Sequence, residues 1–148
     1  MINHQDENII VSIQHTGTQF LGKRLGTENM VHTDMPWDLV QRKLEGKKIY
    51  SPLRHPSKVW QSWANRFAPG PAFPHIAFAW QWYAMDIIDT LYDVDFINLE
   101  TQDDPRIKDW SPVNHYGGKR HSFEPPPHDL KRLYRLPFVL RHFGEYRP

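Results

Sequence analysis

The 148-residue chain contains no cysteine, which excludes a disulfide scaffold, a thiolate zinc site and a cysteine nucleophile together. It contains no apolar run near the roughly 20 residues that a membrane-spanning helix requires, so no membrane partner is expected. Charge of either sign is not in excess. The 18 Lys+Arg stand against 17 Asp+Glu, and the net +1 is too even for a general binder of nucleic acid. Its nine histidines show no H-E-x-x-H spacing, and no metal is expected. His4, Asp6 and Glu7 precede the first apolar stretch, unlike a secretory signal, and the expected location is cytoplasmic.

What is present is a 14% aromatic content with 13 prolines. The chain is too aromatic for disorder, and its prolines are too scattered for a pure helical bundle. Its length suits one domain, 1–148, with a real core.

Apolar runs at 8–14, 48–53 and 93–99 read as strands. Helical spacing follows the first from Gln19 to Leu25, where Gly26 stops it. Asp34 and Pro36 read as an N-cap and first-turn pair opening a helix through Trp37, Val40 and Leu44. A helix from Pro56 aligns Val59, Trp60, Trp63 and Phe67. After a breaker at 68–74, the longest helix runs over 75–92, with Ile76, Trp80, Tyr83, Ile87 and Leu91 as its inward stripe. Loop chemistry occupies 101–127, and a helical segment interrupted at Pro137 occupies 128–143. Alternating strands and helices imply an α/β fold of three layers, a mainly parallel sheet flanked by helices. Ligands of such sheets bind beyond the carboxyl ends of the strands, which directs attention to His15–Gln19, to Arg54 and His55, and to Glu100 onward.

Gly17, between Thr16 and Thr18, permits positive φ and close backbone approach at a helix start, where N–H groups favour an anion. A plain βα turn with Thr18 as a cap is the alternative. Gly17–Arg24 reads GTQFLGKR, one position short of the G-x-x-x-x-G-K-[ST] phosphate loop, because Arg24 replaces the hydroxyl residue that holds magnesium. This disfavours a nucleotide kinase or other phosphate-loop NTPase. In the second element, Arg54 offers a planar fork for phosphate oxygens and Ser62 a hydroxyl on the following helix. A solvated helix face is the alternative there.

Gln14-His15-Thr16-Gly17-Thr18-Gln19-Phe20 is similar to the P-[KR]-[ST]-G-T-[TS]-[WFL] turn of the sulfotransferases that use 3′-phosphoadenosine 5′-phosphosulfate (PAPS). Arg54-His55-Pro56, with Ser62 eight residues after the arginine, resembles their R-[ND]-P element, and Asp95–Glu100 is loosely similar to a later strand of the family. The resemblance covers the first two thirds of the chain. It implies a sulfotransferase-like fold related to that of phosphate-loop NTPases, and in-line transfer of a sulfuryl group from PAPS to a hydroxyl or amine of a small-molecule or glycan acceptor, leaving PAP, with no metal. It further implies that His15, Thr16, Gly17, Thr18, Gln19 and Phe20 hold the 5′-phosphosulfate and adenine, and that Arg54 and Ser62 hold the 3′-phosphate. Lys119 and Arg120 stand in for the family's closing element. The chain departs from the pattern in carrying His15 where the family has Lys or Arg, and the resemblance implies a catalytic part for His15 on the leaving side of the reaction. The family's base, a His or Glu after the first turn, falls to Glu28 or His32, each of which alone reads as a surface residue. A sulfotransferase-like module that binds a nucleotide or a protein without catalysis is the alternative implied by His15 and the short length.

Overall fold

A computed structural model describes residues 7–13, 17–67, 75–101, 103–108 and 131–144. Four strands, β1 (Asn8–Ser12), β2 (Met30–His32), β3 (Lys48–Leu53) and β4 (Val94–Asn98), form an all-parallel sheet in the order β2-β1-β3-β4. Between them run α1 (Thr18–Leu25), α2 (Trp37–Leu44), α3 (Pro56–Phe67) and α4 (His75–Leu91). A 3-10 turn at Pro105–Ile107 and α5 (Pro137–Phe143) follow β4. The mixed α/β architecture with a parallel sheet is the expected one. The breaker at 68–74, positions 109–127 of the expected loop and residues 128–130 lie outside the described residues.

Alternation along the strands builds two cores. Ile9, Val11, Ile13, Ile49 and Leu53 turn to one face, where α2, α3, α4 and α5 cover them with Val40, Leu44, Val59, Trp60, Trp63, Phe78, Trp82 and Phe138. Ile10, Tyr50 and Ile97 turn to the other face and meet Leu21 of α1 and Ile107. The helices after β1 and β3 therefore leave on opposite faces, and these two strands are neighbours. This is the switch point at which open parallel sheets have a crevice beyond their carboxyl ends.

Pro52 lies in a central strand, a place usually closed to proline. The Lys48 N–H donates to Glu7 O at 2.7 Å, so even-numbered positions of β3 direct their N–H toward β1. Position 52 has none to give. The β1–β3 pairing runs from Asn8↔Lys48 to Ile10↔Tyr50, whereas β3 pairs with β4 through Leu53↔Asn98. The proline thus ends the β1–β3 ladder at the carboxyl ends of the strands.

Four expectations are corrected. There are four strands, not three: β2, only three residues long, lacks the length that makes alternation readable. The inward stripe of α4 is the opposite one. Phe78, Trp82, Met85 and Ile88 are buried, while Ile76, Trp80, Tyr83, Ile87 and Leu91 are exposed. The helix is apolar on both sides, so period alone offered two equivalent stripes. Pro137 begins α5 rather than interrupting a helix, which suits its fixed φ and absent N–H. Near α2, Pro36 rather than Asp34 is the N-cap residue.

Candidate functional site

The turn after β1 is bracketed by a hydrogen bond between two hydroxyls. Ser12, the last residue of β1, is fully buried, and its Oγ lies 2.6 Å from Oγ1 of buried Thr18. Gly17 is the N-cap of α1 with φ 91°, the left-handed conformation that the sequence anticipated for it. The first turn of α1 has no acidic residue, while Lys23 and Arg24 occupy its last turn. Its amino end therefore keeps the positive character that suits an anion. Gln14, His15 and Thr16 lie outside the described residues.

His32 is the last residue of β2 and pairs with Ser12 across the sheet. Its Nδ1 stands 3.2 Å from Ser12 Oγ. Burial pushes its pKa below the ordinary value, against the opposing pull of Asp34 and of the Ser12 backbone. The surface description of His32 is therefore corrected: it is a half-buried imidazole, neutral at pH 7, joined through Ser12 to the turn that carries Gly17. Strand β2 had to be seen before this could be read. Ser12 was missed as well, since a serine at a strand end carries no signal of its own.

The structure does not bring Glu28 to this place. It is exposed, two residues ahead of β2, at the amino edge of the sheet and not the carboxyl edge. Gln19 is exposed on α1. Phe20 is half-buried, packs beside the smaller core and has the Arg24 guanidinium 5.1 Å from its ring centre. Because α1 begins at Thr18, Gln19 to Lys23 are helical, and no extended phosphate loop lies between Gly17 and Lys23.

Arg54 is buried and directly follows β3. Ser62 is half-buried on α3. Lys119 and Arg120 lie outside the described residues.

Beside Arg54, a second cluster joins the ends of β3 and β4. The His55 N–H donates to Glu100 Oε1 at 2.8 Å, and Lys58 forms an ion pair with the same carboxylate. Burial pushes Glu100 upward, but the His55 N–H and Lys58 outweigh it and hold the carboxyl below its ordinary range. Ser57 Oγ and the Tyr134 hydroxyl each lie 2.8 Å from His55 Nδ1, and burial lowers the His55 pKa. Position after a strand had marked His55 and Glu100. Nothing marked Tyr134, which comes from 79 residues away.

The neighbouring ends of β2, β1 and β3 thus present a positive-φ glycine at a helix start, hydroxyls, a buried arginine and two half-buried imidazoles whose pKa burial lowers. That set can hold anionic groups and accept a proton. No metal-binding group of three or more His, Asp or Glu occurs among the described residues. No helix among them is long and apolar enough to cross a membrane. No protein-family model, curated protein or solved structure matches the chain.

Proposed function

We propose that this protein transfers a sulfuryl group from PAPS to an acceptor hydroxyl or amine. The observation that carries the reading is the shared position of the two motif-like turns, one after β1 and one after β3, at the switch point of the sheet. In this reading Gly17 and Thr18 present backbone N–H groups to the 5′-phosphosulfate, and Arg54 with Ser62 holds the 3′-phosphate. The acceptor oxygen or nitrogen forms its bond to sulfur as the bond from sulfur to the 5′-phosphate oxygen breaks. The acceptor proton passes to a base, and 3′,5′-ADP departs with the bridging oxygen. His32 is the base in this proposal, supported by its neutral imidazole and by its link through Ser12 to the glycine turn. Positioning and charge stabilisation supply the rest, and no step needs a metal.

Titration with 3′,5′-ADP and with Mg-ATP, on the wild type and on Arg54→Ala, tests the reading. The expected result is binding of 3′,5′-ADP, weakened by about tenfold or more in the variant, since a hydrogen bond to a charged group contributes roughly 1.5–3 kcal/mol. Sulfuryl transfer from labelled PAPS to a panel of hydroxyl and amine acceptors then separates an enzyme from a nucleotide-binding module. Preference for Mg-ATP would instead favour an NTPase, the reading that the helical Gln19–Lys23 segment opposes.

A further inference from the structure

The exposed stripe of α4 is unaccounted for by the nucleotide reading. Ile76 is 88% exposed and Leu91 60%, with Trp80, Tyr83 and Ile87 at 39–43%. Their spacing of four, three, four and four lays them along one face of a helix about 25 Å long. The acidic residues of α4 are turned elsewhere. Asp86 Oδ1 accepts the Phe138 N–H at 2.8 Å, and Asp89 forms an ion pair with Arg141, so both serve α5. Among the described side chains of α4, no charged one is exposed. Nothing on the stripe would repel an identical stripe.

We propose that this face docks a second copy of the chain, the two α4 helices crossing antiparallel about a two-fold axis. The stripe is close to palindromic in spacing about its centre near Tyr83. An antiparallel mate therefore sets Ile76 against Leu91 of the partner subunit, Trp80 against Ile87 of the partner subunit, and Tyr83 beside the axis. Such self-complementarity is what an isologous interface requires. Spacings of three and four keep all five side chains on one side of the helix, as a helix–helix contact requires. The exposed parts of these five side chains amount to about 600 Å² per copy, which doubles to the lower end of the range for stable interfaces. A contiguous apolar patch of this size is already at the upper limit for a monomer.

Sedimentation of the full chain between about 1 and 100 μM tests this, and the expected mass at the upper end is twice 17.6 kDa. Tyr83→Glu should return the mass to that of one chain, with an unchanged far-UV circular dichroism spectrum. Because the chain has no cysteine, Tyr83→Cys provides a second readout that does not depend on the glutamate variant folding. Mild oxidation should link its copies quickly, and those of the exposed Lys43→Cys slowly. A wild type that stays at one chain mass throughout would overturn the proposal, whether the stripe is covered by another part of the chain or meets a different partner. So would equal cross-linking of the two cysteine variants.

Discussion

The bond between Ser12 and Thr18 closes the turn that carries Gly17, and its removal can be worked through in free energy. Ser12 is fully buried, Thr18 is nearly so, and their oxygens are 2.6 Å apart. Ser12→Ala leaves the Thr18 hydroxyl and His32 Nδ1 without that partner, and an orphaned buried group loses roughly 1–3 kcal/mol. About 2 kcal/mol is the expected loss, a fall of roughly 4–8 °C in Tm for a chain of this size. Thr18→Val keeps the shape and the branching at Cβ, and Ser12 keeps His32 as a partner, so about 1 kcal/mol is expected. Removing both hydroxyls leaves no orphan between them. The double variant should therefore be less destabilised than the sum of the singles by about 1 kcal/mol. Urea denaturation of the four proteins, with equal m-values, measures that coupling. Additivity within about 0.3 kcal/mol would refute the reasoning, since it would mean that each hydroxyl is satisfied independently of the other.

If His32 accepts the acceptor's proton, His32→Gln should lower kcat for sulfuryl transfer by about 10²–10⁴-fold while leaving 3′,5′-ADP affinity within a few-fold of the wild type. A matching loss of affinity would identify a structural role. Stability should also depend on pH in a defined direction. Burial holds the imidazoles of His32, His55 and His142 below their ordinary value. The unfolded chain therefore binds more protons than the native one once the pH falls below about 6.5. The urea midpoint should stay level from pH 8 to about 7 and decline as the pH falls from about 6.5 toward 5. The initial slope is at most about 1.4 kcal/mol per pH unit for each histidine. A midpoint that rises on acidification across this range would contradict the burial of these rings.

Legibility varied with how local the cause was. β1 announced itself through its β-branched run, β3 through a shorter apolar run that Pro52 weakened, and α1 through its spacing and the stop at Gly26, whose φ of 69° serves the C-cap. β2 did not: three residues, Met30, Val31 and His32, become a strand because β1 offers an edge with matching register. That register, and nothing near position 32 in the chain, brings the imidazole to Ser12. The inward side of α4 was equally undetermined, because its two apolar stripes differ only in which one meets Trp60, Trp63 and Phe138. Pro52 ran the other way. Local rules made it an argument against a strand, while the sheet uses it to stop pairing with β1 and keep pairing with β4. In the site, Gly17 and Arg54 were readable from their places after strands. Ser12, Tyr134 and the burial of His32 depend on contacts made across the fold.

The two sides of the sheet are unequally clothed. Among the described residues, nineteen buried apolar side chains lie with α2–α5 and only six lie with α1 and the 3-10 turn. Openings of lowest free energy should peel away the thin coat first and leave the thick one standing. Ser12, Thr18 and His32 belong to the thin side. Whatever grips them would rigidify the half of the molecule that loosens most readily, so occupancy should register as slower amide exchange in α1 and β2 well before it registers in α4.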